Sequence, residues 1–297
     1  MSEIKIYDIS SGVVELQNSS YKLERQLQHL IEKNMKTLFS VDFLATEYAF
    51  SGGRIDSLGI DENNCPVIFE YKRNMNENVI NQGLFYLEWL LDHKANFELL
   101  VRNQFDKKRA DEIEWGSPIV YCIANEFTKF DVNAVKQMQR NIQLVEYKKY
   151  ENDLLVFDYL NLDLKVNPIK EQHTPSRNRT TKYRTIKDRM ETLTPELKPI
   201  LKELRMFITS LSDEVSELIM KQYIAYKKIN NFVTIDMTNE KIQIYLPLNP
   251  DKVEIKDNMR DMCGVGHFGT GDLEILIRNE KELQIATEYI EKSFNQD

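Results

Sequence analysis

The chain has 297 residues, of which 42% are hydrophobic and 29% are charged, and its formal net charge is −8. This composition is typical of a globular protein of two domains, each large enough to bury its own core. It excludes a membrane protein, because no apolar run approaches the roughly 20 residues of a membrane span. The first residues also lack the apolar stretch of a secretion signal. Three scattered cysteines and four dispersed histidines predict neither a disulfide framework nor a zinc site, so we expect a cytoplasmic protein.

The first predicted helix spans residues 20–34 and follows an extended segment at 1–18. Its apolar stripe consists of Leu23, Leu27, Leu30 and Ile31, which recur at helical spacing. Ser19 or Ser20 is suited to cap its N-terminus.

Alternating apolar residues then predict strands at 43–50, 54–60 and 66–72. The polar segment 61–64 joins the second and third strands as a hairpin. If this hairpin is symmetric about residue 63, Asp56 and Glu70 lie directly opposite each other, with Cβ atoms about 4.5–5.5 Å apart. Glu70 and Lys72 are two residues apart and therefore share one face of their strand.

Three charged side chains that converge on a mostly apolar sheet suggest metal-assisted phosphodiester hydrolysis. Two carboxylates can hold Mg²⁺, which retains several waters and takes further ligands from a substrate phosphate. The ion would activate a water, and the ammonium of Lys72 would offset charge on the phosphate. A cross-strand salt bridge at a sheet edge is the alternative explanation of these residues.

The next helix is predicted at residues 76–93 by an amphipathic pattern of apolar residues. Gln82 and Tyr86 are four residues apart, so they stand one above the other on the same side of this helix. Each has an ordinary alternative, Gln82 as a polar residue on a helix flank and Tyr86 as a core aromatic.

In order, the residues Asp56, Glu70, Lys72, Gln82 and Tyr86 resemble the motif of the PD-(D/E)XK nuclease superfamily, most closely the branch of RecB-type nucleases and NucS endonucleases. The resemblance implies that Asp56 and Glu70 bind metal and that Lys72 assists the attacking water. It implies that Gln82 orients this water or a metal ligand and that Tyr86 contacts nucleic acid.

The same resemblance has two further implications. The family places a glutamate on the first helix, which corresponds to Glu24 and would join the metal ligands; a solvated helix charge is the alternative. The fold it implies is an α/β, restriction-endonuclease-like domain with a mixed central sheet flanked by helices. Ile55 occupies the position where the family's name has proline, a departure that many relatives share.

The remaining pattern of the first half completes such a domain. A helical stretch is predicted at 95–113, and strands are predicted at 119–124, 142–147 and 154–159 with a helix at 132–140 between the first two. Three strands, a helix and a further strand are the order expected for a mixed α/β sheet. We assign residues 1–165 to this domain.

Residues 166–190 are predicted to be a basic, flexible linker. Between Pro168 and Met190 seven basic and two acidic residues give a net charge of +5 among Thr, Asn and Pro. We expect Arg177, Arg179, Lys182 and Arg184 to contact the phosphate backbone. A solvated hinge is the alternative.

Residues 191–297 are predicted to form a smaller α+β domain. A helix follows Pro195, short strands are predicted at 222–228, 232–237, 242–247 and 272–277, and a last helix is predicted at 280–294. Tyr223, Tyr226, Lys227 and the glycine loop 264–271 resemble an uncharacterised domain often found behind bacterial nuclease-like domains. The loop is either a structural connection or a contact surface. We expect this domain to fold independently and to bind substrate, a protein partner or a second copy of the chain.

These patterns together predict a Mg²⁺- or Mn²⁺-dependent nuclease that acts on DNA rather than RNA, in repair or in defence against foreign DNA. The competing hypothesis is a binding module for nucleic acid or protein that keeps the nuclease fold without turnover. The acidic net charge favours it, as do Glu88 and Asp92 on the helix of Gln82, since both could repel phosphate.

Overall fold

The computed structural model describes residues 4–19, 24–72, 79–138, 140–161 and 184–296. The elements of its first half are, in chain order, β1 (Tyr7–Asp8), β2 (Val14–Glu15), β3 (Asn18–Ser19), α1 (Glu24–Phe39), β4 (Val41–Phe50), β5 (Gly53–Asp61), β6 (Pro66–Lys72), α2 (Val79–Asp92), α3 (Lys94–Gln104), α4 (Lys107–Asp111), β7 (Ile119–Ala124), α5 (Lys129–Gln137), β8 (Asn141–Tyr150) and β9 (Leu155–Tyr159). Those of the second half are α6 (Ile186–Thr192), α7 (Leu197–Ser210), β10 (Ser216–Ile219), β11 (Ile224–Lys227), β12 (Asn231–Thr238), β13 (Lys241–Leu246), β14 (Met259–Asp261), β15 (Leu273–Ile277) and α8 (Glu280–Phe294).

A seven-stranded mixed sheet forms the first half. Its strands lie in the order β3-β8-β7-β6-β5-β4, and β9 also pairs with β8. The β4, β5 and β6 strands are antiparallel neighbours, whereas β6, β7 and β8 run parallel. On one face Leu27 and Ile31 of α1 pack with Phe69, and on the other Leu87 of α2 packs with Ile68. The predicted mixed sheet flanked by helices is confirmed.

The second half is built on a separate antiparallel sheet of six strands in the order β10-β11-β12-β13-β15-β14. Leu204 of α7 and Ile290 of α8 pack on Ile235 and Ile244 of this sheet, and all four side chains are buried in one apolar core. The predicted α+β class of this half is confirmed, while the predicted domain boundaries stay a prediction.

Helix α6 lies partly inside the segment predicted as linker. Thr185 and Asp188 form a capping box at its start, in which each side chain accepts the backbone amide of the other residue. Ile186 is fully buried in the core of the second half. The single helix predicted at 95–113 is instead two helices, α3 and α4. Asp106 accepts the amide of Arg109 and so caps the start of α4. Within the described ranges, no helix has both the length and the apolarity needed to cross a membrane.

The turn between β5 and β6 is buried against the second half of the chain. Asn63 Oδ1 accepts hydrogen bonds from Asn231 Nδ2 at 2.7 Å and from the Tyr223 hydroxyl at 2.9 Å. Asn63 Nδ2 donates to Asn231 Oδ1 at 3.1 Å, and Glu62 Oε1 accepts the Asn231 amide at 2.6 Å. Asn63 and Asn231 are only 2% and 3% exposed, so this polar network belongs to the folded interior.

We predict that Glu62 makes the protein less stable as the pH rises. Burial raises the pKa of Glu62 from 4.5 to about 7, and the attraction of Lys227 only partly opposes this. Because the folded state binds this proton more tightly than the unfolded state, the contribution of Glu62 to stability is fully present below pH 4.5 and is lost as the pH rises through about 7. The contribution is at most about 3 kcal/mol. Denaturant unfolding between pH 4.5 and 7.5 should show a shallower loss in Glu62→Gln than in the wild type; parallel curves would contradict the assignment.

Candidate functional site

The hairpin of β5 and β6 has the predicted register. Ser57 lies opposite Phe69 and Ile60 lies opposite Pro66, which makes the hairpin symmetric about residue 63. Asp61 shapes the turn, because its Oδ1 accepts the amides of Asn63 and Cys65 at 2.9 and 2.8 Å.

The two acids lie where the regular ladder of this hairpin ends. Beyond the pair of Ser57 and Phe69, Glu70 Oε1 accepts the backbone amide of Asp56 at 3.3 Å. Asp56 Oδ2 in turn accepts the amide of Tyr71 at 3.1 Å. Each carboxylate is therefore held by the strand opposite its own, which fixes the two acids side by side.

Burial dominates the electrostatics of this pair. Glu70 is 1% exposed, and burial raises its pKa, with the neighbouring charge of Asp56 adding to the rise. Burial also raises the pKa of Asp56, although the Tyr71 amide and the charge of Lys72 act in the opposite direction. A buried carboxylate and a half-buried one side by side are unfavourable when both are ionised, unless a cation compensates them. The pair is therefore suited to hold either a shared proton or a metal ion.

Lys72 supplies one positive charge at this point. It is half-buried at the end of β6 and acts on both carboxylates, since its charge lowers the pKa of each. Within the described residues no group of three or more His, Cys, Asp or Glu side chains is placed to hold a metal ion. The two carboxylates fit Mg²⁺ or Mn²⁺, because such an ion completes its shell with water and substrate oxygens.

Tyr86 of α2 lies beside the acids. It is 8% exposed, and burial raises its pKa, with the charges of Glu70 and Asp56 adding to the effect. A Cβ atom at Gly53 would come within 2.8 Å of the Tyr86 ring, so the ring lies directly against the start of β5. Gln82 is exposed one turn earlier on the same helix. The structure thus brings Asp56, Glu70, Lys72 and Tyr86 together and leaves Gln82 at the surface.

An open groove leads to Asp56 between α1 and β4. Glu24 lines this groove together with Asp56, Arg54 and Glu47, and Arg54 and Glu47 form an ion pair at 2.6 Å. Gln28, one turn after Glu24, is 5% exposed and donates from Nε2 to the Asp56 carbonyl at 2.9 Å. Gln28 was not predicted as a site residue. The sequence feature that could have identified Gln28 is its position as a polar residue beside the apolar stripe of α1.

Three of the four predicted phosphate contacts lie outside the described residues. Arg177, Arg179 and Lys182 are outside the described residues, and Arg184 is exposed just before α6. The contact of these four residues with the phosphate backbone therefore stays a prediction.

The glycine loop of the second half packs as a connection between strands. The hydroxyl of Thr234 donates to the carbonyl of Thr270 at 2.9 Å and accepts its amide at 3.2 Å. Gly269 and Gly271 have φ values of 91° and 130°, which disfavour any residue with a side chain. The His267 ring stacks on Tyr245 with 4.2 Å between centroids.

Residues 184–296 match the family described as a domain of unknown function (DUF5655). Over nearly its full length, the chain is similar to an uncharacterised protein of Haemophilus influenzae, with 27% identity over 98% of this chain and 99% of the relative.

Two solved structures are also similar. One is a repair endonuclease from Pyrococcus abyssi, with a TM-score of 0.29, 13% identity, and 44% of this chain covered. The other is a complex of EndoMS with double-stranded DNA, with a TM-score of 0.25, 14% identity, and 45% of this chain covered. The matches span 50% and 51% of these solved chains.

Proposed function

We propose that the protein is a Mg²⁺- or Mn²⁺-dependent nuclease that hydrolyses phosphodiester bonds of DNA. The observation that carries this proposal is the pair of adjacent carboxylates of Asp56 and Glu70, with Lys72 within electrostatic reach of both. Two adjacent carboxylates, one of them buried, are costly in a folded protein unless a ligand uses them.

Each side chain has a distinct role in this proposal. Asp56 and Glu70 would hold the ion, and Glu24 lines the groove that leads to Asp56, although within the described residues it forms no three-acid group with them. The bound ion would polarise a phosphoryl oxygen and lower the pKa of a water molecule. Lys72 offsets the negative charge that grows on the phosphate, and Tyr86 contacts the nucleic acid. Gln82 is exposed one turn before Tyr86 on α2, and its predicted role in orienting the water or a metal ligand stays a prediction.

We expect purified protein to cleave DNA with Mg²⁺ or Mn²⁺ and to stop when EDTA is added. Asp56→Asn and Lys72→Met should each reduce the cleavage rate by about 10²-fold or more, because each removes a charge that the transition state needs. Cleavage is measured on single-stranded, mismatched and branched DNA and on RNA. Glu112→Gln is the matched control, since Glu112 is an exposed acid after α4 and should leave the rate unchanged. Full activity in both site variants would refute the proposal.

The basic segment is proposed to hold the phosphate backbone during this reaction. Replacing Arg177, Arg179, Lys182 and Arg184 together by Gln should weaken DNA binding and flatten its salt dependence. For every phosphate that these side chains no longer neutralise, the log–log slope on duplex DNA should fall by about 0.9. Binding is measured by fluorescence anisotropy between about 50 and 200 mM salt, the range over which phosphate contacts change affinity strongly. An unchanged slope would show that these four side chains do not touch phosphate.

A binding module without turnover is the second candidate. Glu88 and Asp92 are both exposed on α2, the helix that carries Gln82 and Tyr86, and they would repel an approaching phosphate. Metal-independent DNA or protein binding, without cleavage of any of the substrates above, would favour this candidate over the nuclease.

A further inference from the structure

A second site is suggested by a cavity between the two halves of the chain. Its volume is about 290 Å³, at the lower end of the roughly 300–1,000 Å³ typical of small-molecule sites. Tyr121 and Gln143 contribute one wall from β7 and β8, and Ser216 and Lys227 contribute the other from β10 and β11. Neither Asp56 nor Glu70 lines this cavity, so it is separate from the site described above.

Lys227 is a buried cation in the wall of this cavity. It is 9% exposed, and it has no hydrogen-bond or ion-pair partner among the residues that the structure describes. Asp61 and Glu62 attract its charge from the hairpin turn, but neither of them lines the cavity. A buried lysine is ordinarily paired. Because Lys227 lacks such a partner in the described part of the chain, its ammonium is available to an anionic group in the cavity.

Gln143, on the opposite wall, has a hydrogen-bond acceptor for which the described residues supply no donor. Its Nε2 donates to Asn141 Oδ1 at 3.1 Å, and Asn141 is itself 9% exposed. Its Oε1 is buried and has no hydrogen-bond partner among the described residues. A buried acceptor without a donor is unfavourable, and Gln143 lines the cavity, so a ligand that carries a hydrogen-bond donor as well as an anionic group would satisfy this oxygen once the amide turns towards it.

The rest of the lining limits the shape and charge of this ligand. Tyr121 and Tyr159 provide aromatic surface, and Ile119 and Val215 provide apolar surface. The carboxylate of Glu217 forms an ion pair with Arg205, and the other acid of the lining, Asp213, is exposed. A flat apolar body between an anionic end and a polar edge therefore suits this space.

We propose that the cavity binds a nucleoside monophosphate. The phosphate accepts hydrogen bonds from Lys227, a base amino or imino group donates to Gln143 Oε1, and the planar base lies against the aromatic and apolar lining. This proposal goes beyond the nuclease function and does not depend on it, because none of the groups involved belongs to the acid pair.

The test is equilibrium binding to the full-length chain by calorimetry, in EDTA so that cleavage plays no part. The probes are the four deoxynucleoside 5′-monophosphates, deoxyadenosine and inorganic phosphate. We expect at least one monophosphate to bind more tightly than deoxyadenosine and phosphate do. Lys227→Met should weaken that binding by roughly tenfold to a hundredfold, as expected for loss of a charge-assisted hydrogen bond. Lys221→Met, at an exposed lysine of the same half, should bind as the wild type does.

Gln143→Leu provides an independent variant, since it lies in the other half of the chain and removes the unpartnered acceptor. It should also weaken binding, and it decides the question if Lys227→Met does not fold, as judged by circular dichroism. The proposal is overturned if no monophosphate binds more tightly than inorganic phosphate alone. It is equally overturned if a folded Lys227→Met or Gln143→Leu variant binds with wild-type affinity.

Discussion

Glu70→Gln is expected to abolish DNA cleavage while leaving the protein as stable as the wild type or more so. The amide keeps the shape of the carboxylate, and its oxygen can still accept the Asp56 backbone amide. It removes the negative charge needed to hold a divalent ion, so the cleavage rate should fall by about 10²–10³-fold or more. It also keeps residue 70 neutral beside Asp56, as protonation of Glu70 does when no metal is bound, so the thermal midpoint should stay level or rise.

The measurement pairs a cleavage assay with thermal unfolding of the same samples in EDTA. Loss of activity with loss of fold would indicate that Glu70 is a structural residue. Retained activity in a folded Glu70→Gln variant would remove Glu70 from the proposed metal ligands. Comparison with Glu112→Gln shows whether the change in stability is specific to the acid pair, because Glu112 is exposed.

Asn231→Leu is expected to destabilise the protein by about 2–4 kcal/mol. The substitution leaves Asn63 Nδ2 without its acceptor and removes one of the two donors to Asn63 Oδ1. It also removes the donor that bonds Thr270 Oγ1. Because Asn63 is 2% exposed, water cannot replace these bonds without opening the contact between the halves.

Denaturant unfolding of the full-length chain measures this change. Asn239→Leu is the matched control, since Asn239 is exposed in the turn after β12 and its side chain loses one exposed hydrogen bond, from the Thr192 hydroxyl, so it should cost much less. A loss of stability at Asn231 no greater than at Asn239 would show that the polar network does not hold the halves together.

The sequence predicted the hairpin well because its signals are local. Alternating apolar residues predicted the two strands, and the polar turn predicted that they pair symmetrically about Asn63. This register brings Asp56 beside Glu70. Helix α6 was not predicted, because the basic composition around it indicated a linker. Thr185 and Asp188, three residues apart, nevertheless have the pattern of a capping box. The break between α3 and α4 likewise depended on a single cap, Asp106.

The surroundings of the candidate site were less predictable, since they depend on contacts between distant residues. Gln28 reaches the Asp56 carbonyl from another element, and nothing in the local sequence of α1 indicates that bond. The burial that raises the pKa of Glu70 is also a property of the packed sheet and helices. The contact of Asn63 with Tyr223 and Asn231 joins residues 160 and 168 positions apart, beyond the reach of any periodic pattern.

A single hairpin carries the acid pair at its open end and the contact with the second half at its turn. The two halves are therefore not interchangeable parts. A second half that lacked an amide at the position of Asn231 would leave Asn63 without its reciprocal amide bonds. The turn would then meet an unmatched surface, and the mismatch would reach the strands that position Asp56 and Glu70.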